Sequence, residues 1–155
     1  MIINDPIFGN LEFDIICFRY DTITFLDKET EIIIIVSEDE DGKFEAGQYE
    51  AYQEIMKNWD KVHVTFPEAI LEYYKQLRKE LGYDIEVNDR FPQIDTTEQL
   101  LNHITLTGIK VQFANIFGGR SIGVSFDCTW DEENGVGLAL SDEKIIEIGY
   151  KDVAL

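Results

Sequence analysis

The sequence has few of the residues that cross-link a small protein or bind a metal. Its two cysteines, Cys17 and Cys128, lie in separate apolar stretches, which indicates buried thiols in a reducing compartment and not a disulfide framework. Its two histidines, His63 and His103, have no histidine, cysteine or carboxylate at metal-ligand spacing. The sequence also lacks a phosphate-binding glycine loop and a nucleophile elbow. We therefore expect no metal, no cofactor and no enzymatic activity.

Basic residues are also scarce. Thirteen Lys and Arg face thirty-one Asp and Glu, which gives a formal net charge of -18. Such a chain repels phosphate groups, so we expect no binding to nucleic acid or to an anionic membrane surface. It attracts basic protein surfaces and speeds encounter with them.

Long apolar runs are missing as well, so the sequence predicts no membrane span. Residues 1–6 lack the basic start and apolar centre of a signal peptide, and we expect a cytoplasmic protein. The 45% of hydrophobic residues is enough for an ordinary core, and we predict a single α+β domain over residues 1–155.

Residues 8–37 show the two-residue alternation of β-strands. The first predicted strand places Leu11, Phe13, Ile15 and Cys17 on one face, and the second covers residues 20–26. A turn is predicted at residues 27–29. The third strand, residues 31–36, is apolar on both faces, which is typical of a central strand covered on both sides.

Two helices are predicted next. The first follows Gly47 and carries an aromatic stripe made by Tyr49, Tyr52, Ile55 or Met56, and Trp59. For the second, we predict a capping box of Thr65 and Glu68, Pro67 in the first turn and an end at Gly82. In this second helix Ile70, Tyr74, Leu77 and Leu81 are predicted to be buried, and Glu72, Lys75, Arg78 and Lys79 to face water.

The carboxyl-terminal part predicts a second group of strands. Thr96 and Gln99 form a capping box for a short helix, and the alternation slips at Gly108, which indicates a β-bulge. A hairpin at Gly118-Gly119 leads into residues 122–130, followed by strands at 136–140 and 145–150. The predicted fold class is therefore α+β, with antiparallel β meanders at both ends and two central helices packed on the sheet.

Two acidic segments stand out as candidate partner-binding sites. Glu38, Asp39, Glu40 and Asp41 lie in a loop that resembles a calcium loop in spacing but lacks its first carboxylate and its terminal Glu. Asp131, Glu132 and Glu133 lie in a turn in which Asn134-Gly135 is predicted to supply positive φ angles. With Asp127 they also form a carboxylate cluster, which leaves acid/base or metal-dependent chemistry open as an alternative.

The segments Phe8 to Leu11, Gln48 to Tyr52, Ala69 to Tyr74 and above all Trp130-Asp131-Glu132-Glu133-Asn134-Gly135-Val136-Gly137-Leu138 resemble a bacterial family of unknown function. The hallmark of that family is a Trp-Asp-x-Glu-His-Gly-Leu-Gly-Val string near the carboxyl end. Its members recur as suspected immunity proteins in polymorphic-toxin and contact-dependent inhibition loci. Asn134 stands where histidine is usual, so any chemical role of that histidine is absent here.

The resemblance implies an immunity protein that neutralises a cognate bacterial toxin by direct binding. The acidic surplus fits this implication, because many toxin domains are nucleases with basic substrate clefts. Two alternatives remain: a metal-dependent hydrolase centred on Asp127, Asp131, Glu132 and Glu133, and a general protein-interaction module.

Overall fold

The computed structural model describes residues 1–14 and 16–155, which form one eight-stranded sheet whose strand order follows the chain. The strands are β1 (Ile2–Asp5), β2 (Gly9–Phe13), β3 (Cys17–Phe25), β4 (Lys28–Val36), β5 (Ile104–Val111), β6 (Ser121–Cys128), β7 (Val136–Ser141) and β8 (Lys144–Gly149). Neighbours pair antiparallel, whereas β4 and β5 pair parallel. The fold is therefore α+β with a mostly antiparallel sheet, and both predicted meanders belong to that sheet.

The connection between β4 and β5 contains the helices. They are α1 (Ala46–Lys57), α2 (Trp59–Val62), α3 (Phe66–Glu80) and α4 (Thr97–Leu100), with a 3-10 turn at His63–Thr65. A parallel pair needs such a long crossover. The sequence predicted the two long helices and α4, while α2 is an additional segment that begins after Asn58, the residue that caps α1.

The helices cover one face of the sheet, which we call the inner face. Ile32, Ile34 and Val36 of β4 are buried there together with Ile55 of α1 and Ile70 of α3. Burying an aliphatic side chain of this size stabilises the fold by roughly 1.5–3 kcal/mol. This layer of helices on the sheet contains the hydrophobic core.

The opposite face, which we call the outer face, differs from the prediction. The sequence predicted that residues 31–36 are covered on both sides, but Ile33 and Ile35 are only half-buried. They share the outer face with their cross-strand partners Tyr20 and Phe18. Tyr20 is 63% exposed, so the sheet is open to solvent at its centre.

The amino-terminal strands also differ from the prediction. β1 was not predicted, and it pairs with β2. The first predicted strand is interrupted, since β2 ends at Phe13 and Cys17 belongs to β3, where it lies opposite Phe13. Ile15 of that prediction lies outside the described residues. The next turn is at Leu26 and Asp27, both with positive φ, and Lys28 is already paired in β4.

The predicted capping box at the start of α3 is wrong. Thr65 has helical backbone angles, because the 3-10 turn leads directly into the helix, and its hydroxyl donates to Val62 O at 2.7 Å. Pro67 lies in the first turn, as predicted. The predicted end is also confirmed: Gly82 has a φ of +81°, and the Tyr83 amide donates back to Arg78 O at 2.9 Å.

Two side chains of the predicted second helix were assigned to the wrong environment. Arg78 does not face water, because its Nε donates to Phe91 O at 3.1 Å and its terminal nitrogen donates to Tyr83 O at 2.8 Å. Leu81 is 48% exposed instead of buried. Arg78 therefore holds the irregular segment that follows α3 against the helix.

Other local predictions are confirmed. Thr96 and Gln99 form the capping box of α4, and the register of β5 against β6 shifts between Leu106 and Gly108. Gly118 has a positive φ in the connection between β5 and β6. None of the helices in the described part of the chain is long and apolar enough to cross a membrane.

Candidate functional site

The first acidic loop follows β4. Asp39 Oδ1 accepts the amides of Asp41 and Lys43, both at 2.9 Å, so this carboxylate shapes the loop as an Asx turn. Glu40 and Asp41 are exposed, and Glu38 is half-buried. The loop therefore presents carboxylates to solvent.

The second acidic turn joins β6 to β7. Asp131 Oδ1 accepts the Asn134 amide at 3.1 Å, and the Asn134 side-chain amide donates to both oxygens of the same carboxylate. Gly135 has a φ of +58°, whereas Asn134 keeps a negative φ, so the prediction of two positive φ angles is wrong. Glu132 and Glu133 are exposed. Asp131 thus has a structural role, and the two glutamates face solvent.

The two acidic loops lie at opposite ends of the strands. Val36, which precedes the first loop, is in register with Val111 at the end of β5. Cys128, which precedes the second turn, is in register with Ile104 at the start of β5. The candidate residues therefore do not form one cluster but mark both ends of the sheet.

Two carboxylates of the predicted cluster, Asp127 and Asp131, contact different neighbours. Asp127 forms an ion pair with Lys151, and Asp131 is held by Asn134. Within residues 1–14 and 16–155, no three His, Cys, Asp or Glu side chains are placed to hold a metal ion. Asp127 and Asp131 are thus held by different residues, while Asp127 and Glu132 line the same cavity.

A cavity of about 350 Å³ lies beside this turn. It is lined by Asn102, His103, Thr105, Asp127, Cys128, Thr129 and Glu132. His103 Nδ1 lies 2.7 Å from Thr129 Oγ1. Burial raises the pKa of the Cys128 thiol to about 11, which disfavours the thiolate that nucleophilic chemistry requires.

The motif from Trp130 to Leu138 has a structural role. Trp130 is 1% exposed and packs against Tyr74 with ring centroids 4.4 Å apart. A side chain at Gly137 would overlap the carbonyl oxygen of Tyr150, and one at Gly135 would meet Lys151 and Phe126 O. The motif therefore makes room for the carboxyl-terminal segment to cross the sheet.

That segment, residues 150–155, covers the outer face over β6 to β8. The Lys151 amide donates to Asn134 O at 2.9 Å, and Gln112 Nε2 donates to Ala154 O at 2.6 Å. A side chain at Gly123 would overlap the backbone of Ala154. The outer face is thus closed on this side and open over β3 to β5.

The amino-terminal segments of the family resemblance also meet in space. Phe8 stacks on Tyr49 at 4.9 Å and contacts Tyr52 edge-on at 5.2 Å. Asp5 accepts from Tyr49 Oη at 2.7 Å and from the Phe8 amide at 2.9 Å. Burial alone would raise the pKa of Asp5, but these hydrogen bonds outweigh it and hold that pKa below its usual value. This network fixes β1 and β2 onto α1.

The central outer face was missed from the sequence. Phe18 and Tyr20 contact edge-on at 5.7 Å, and they lie opposite Ile35 and Ile33. The sequence contained an indication of this open face, because Glu31 lies on the same face of β4 as Ile33 and Ile35. A strand with a glutamate in the outward phase is not covered on both sides.

The family described as a domain of unknown function, DUF6985, matches residues 7–155, and the chain belongs to this family. No curated protein matches the chain, and no solved structure does.

Proposed function

We propose that the protein is an immunity protein that binds a cognate bacterial toxin domain with a basic surface, and that this toxin is a nuclease. The main support is the net charge of -18 together with exposed carboxylates at both ends of the sheet. The resemblance of the Trp130 to Leu138 motif to proteins of polymorphic-toxin loci points the same way.

Electrostatic steering is the first step of this function. A surface potential of one sign accelerates the encounter with an oppositely charged protein, and the acceleration weakens as salt increases. Glu40, Asp41, Glu132 and Glu133 are exposed, so they contribute to the long-range field. A basic nuclease cleft covered by this surface cannot admit its phosphate substrate.

Binding is favoured over catalysis by the arrangement of the carboxylates. A hydrolase needs acids that converge on one substrate atom or one ion, whereas Asp127 and Asp131 each form a separate contact with a neighbour. We accordingly propose a stoichiometric inhibitor that acts in the cytoplasm of the cell that makes it, without catalytic turnover.

A pull-down with the product of the adjacent upstream gene tests this proposal. We expect a complex with nanomolar affinity and loss of the toxin's activity at one equivalent of inhibitor. A gene neighbourhood without a toxin, together with no nanomolar partner, would overturn the proposal.

The loop carboxylates can be tested separately. The double variants Glu40→Gln/Asp41→Asn and Glu132→Gln/Glu133→Gln remove two charges each at opposite ends of the sheet. Both should lower the association rate, because all four side chains are exposed. Calorimetric titration with magnesium, manganese and calcium tests the hydrolase alternative, and a stoichiometric binding heat would count in its favour.

A further inference from the structure

We propose that the open cleft on the outer face, formed by Tyr20, Glu31, Ile33, Thr105 and Thr107, receives an arginine side chain of a basic protein partner. This inference rests on the proposed function and names the contact that would hold the partner. We call this cleft the outer-face cleft.

The outer-face cleft lies between β3, β4 and β5 and has a volume of about 380 Å³. Tyr20 forms one wall and is braced edge-on by Phe18. Ile33, opposite Tyr20 in the ladder, supplies an apolar floor. β3 and β4 are paired along their length, whereas β4 and β5 pair only from Ile33 and Gly108 to Val36 and Val111. The cleft therefore lies where β4 and β5 separate, and its residues belong to strands and not to a loop.

The polar groups of the cleft are acceptors. Glu31 contributes a carboxylate that no described residue engages in an ion pair. The Thr107 hydroxyl donates to Ser125 O at 3.0 Å and also lies 3.1 Å from Ser125 Oγ, which leaves at least one of its oxygen lone pairs as an acceptor. Thr105 adds a second hydroxyl. Guanidinium has only donors and a flat cationic surface. It can therefore bond Glu31 while its plane lies on Tyr20.

The charge around the cleft selects a cationic occupant. Glu12, Glu29 and Glu31 point outward on β2 and β4 by the pairing of these strands, and all three are exposed. Lys110, at the other end of β5, donates to Leu155 O at 3.2 Å. A second copy of a chain with a net charge of -18 would place like charges against this rim, so a basic partner fits and self-association does not.

The apolar centre and the acidic rim contribute to binding in different ways. Rim charges mainly change association rates, whereas buried aromatic and aliphatic anchors set residence times. Tyr20 and Ile33 are such anchors, and they lie between the two acidic loops at the ends of the sheet. This position explains how loops that are far apart can serve one partner.

The test is a titration followed by 15N chemical shifts. The probe is the peptide Ac-Gly-Arg-Gly-NH2, and its citrulline analogue, which has the same shape without the charge, is the control. We expect saturable shifts at residues 18–20, 31–33 and 105–107 with the arginine peptide only, and about tenfold weaker binding to Tyr20→Ala and to Glu31→Gln. Tyr150→Ala and Glu98→Gln, which remove an exposed tyrosine and an exposed glutamate elsewhere, should bind as the natural protein does.

Shifts that are equal for both peptides, or that spread over residues 38–41 and 131–133 and persist in Tyr20→Ala, would overturn the proposal. The same variants separate this inference from the proposed function when the toxin is in hand. A toxin that binds the natural protein and Tyr20→Ala/Glu31→Gln equally well supports the immunity function and refutes the outer-face cleft. Specific arginine binding without a toxin partner supports the cleft and refutes the immunity function.

Discussion

Replacement of Gly137 by alanine tests the structural role assigned to the Trp130 to Leu138 motif. The new methyl group would overlap the Tyr150 carbonyl oxygen, so residues 150–155 must move away from the sheet. Overpacking of this kind typically costs about 1–3 kcal/mol. The displacement would also leave the buried amide of Gln112 without its acceptor, Ala154 O, which costs about 1–3 kcal/mol more.

We therefore expect Gly137→Ala to lower the free energy of unfolding by about 3 kcal/mol. For a chain of this size, that loss corresponds to a fall in Tm of roughly 10 °C. Urea denaturation followed by circular dichroism gives the free energy, and amide hydrogen exchange should show residues 151–154 exchanging faster. The measurement is made at neutral pH and compared with the natural protein.

Gly82→Ala is the matched control. Gly82 has a φ of +81°, but a methyl group there meets no atom within 4 Å, so the loss comes from the backbone alone and is about 1–2 kcal/mol. An ordinary surface change alters the free energy of unfolding by about 0.5 kcal/mol. If the free energy of unfolding of Gly137→Ala differs from that of the natural protein by no more than this, the motif does not make room for the carboxyl-terminal segment.

Three further predictions concern single side chains. Arg78→Ala removes the donor to two carbonyls after α3 and should cost about 1–3 kcal/mol, with hydrogen exchange accelerating first in residues 83–91. Gln48→Ala leaves Ser37 O without its buried donor and should cost a similar ~1–3 kcal/mol, measured by urea denaturation. Burial holds the pKa of His63 below its usual 6.5, so the unfolded chain takes up the proton first. The stability from the neutral ring is complete above pH 6.5 and is lost as the pH falls through the folded-state pKa. His63→Gln should flatten the pH dependence of the free energy of unfolding. An unchanged slope of this free energy between pH 7 and pH 5 would contradict the role given to His63.

Local signals in the sequence predicted local structure well. The capping box of Thr96 and Gln99, the glycine end of α3 and the bulge at Gly108 each depend on residues within a few positions, and the structure confirms all three. The predicted capping box at Thr65 is wrong because a 3-10 turn precedes this residue and places its backbone in the helical region. An N-cap residue needs extended backbone angles, and Thr65 does not have them.

Long-range features were not available from the sequence. Arg78 was assigned to solvent because its helical phase is polar, yet its partners are carbonyls of a later irregular segment. The open outer face depends on where residues 150–155 lie, and these cover β6 to β8 and leave β3 to β5 free. Likewise, the opposite placement of the two acidic loops follows from the parallel pairing of β4 with β5.

The candidate partner-binding residues stay a prediction, and their exposure could be read from the sequence only in part. Exposed carboxylates in both acidic loops were visible as charge runs, because charge runs rarely enter a core. Ile33 and Ile35 resembled core residues, because residues 32–36 are apolar on both faces of the strand. Glu31 marks the outward face of β4 in the sequence, whereas the pairing of the strands is needed to place Phe18 on the same uncovered face.

The association rate constant with the toxin domain, measured by stopped flow at low and high salt, tests the central claim most directly. If the protein binds by presenting negative charge to a basic surface, the rate constant should fall by about tenfold or more between 50 and 500 mM salt, with a smaller change in the dissociation rate. A nanomolar complex whose association rate does not change with salt would contradict this account.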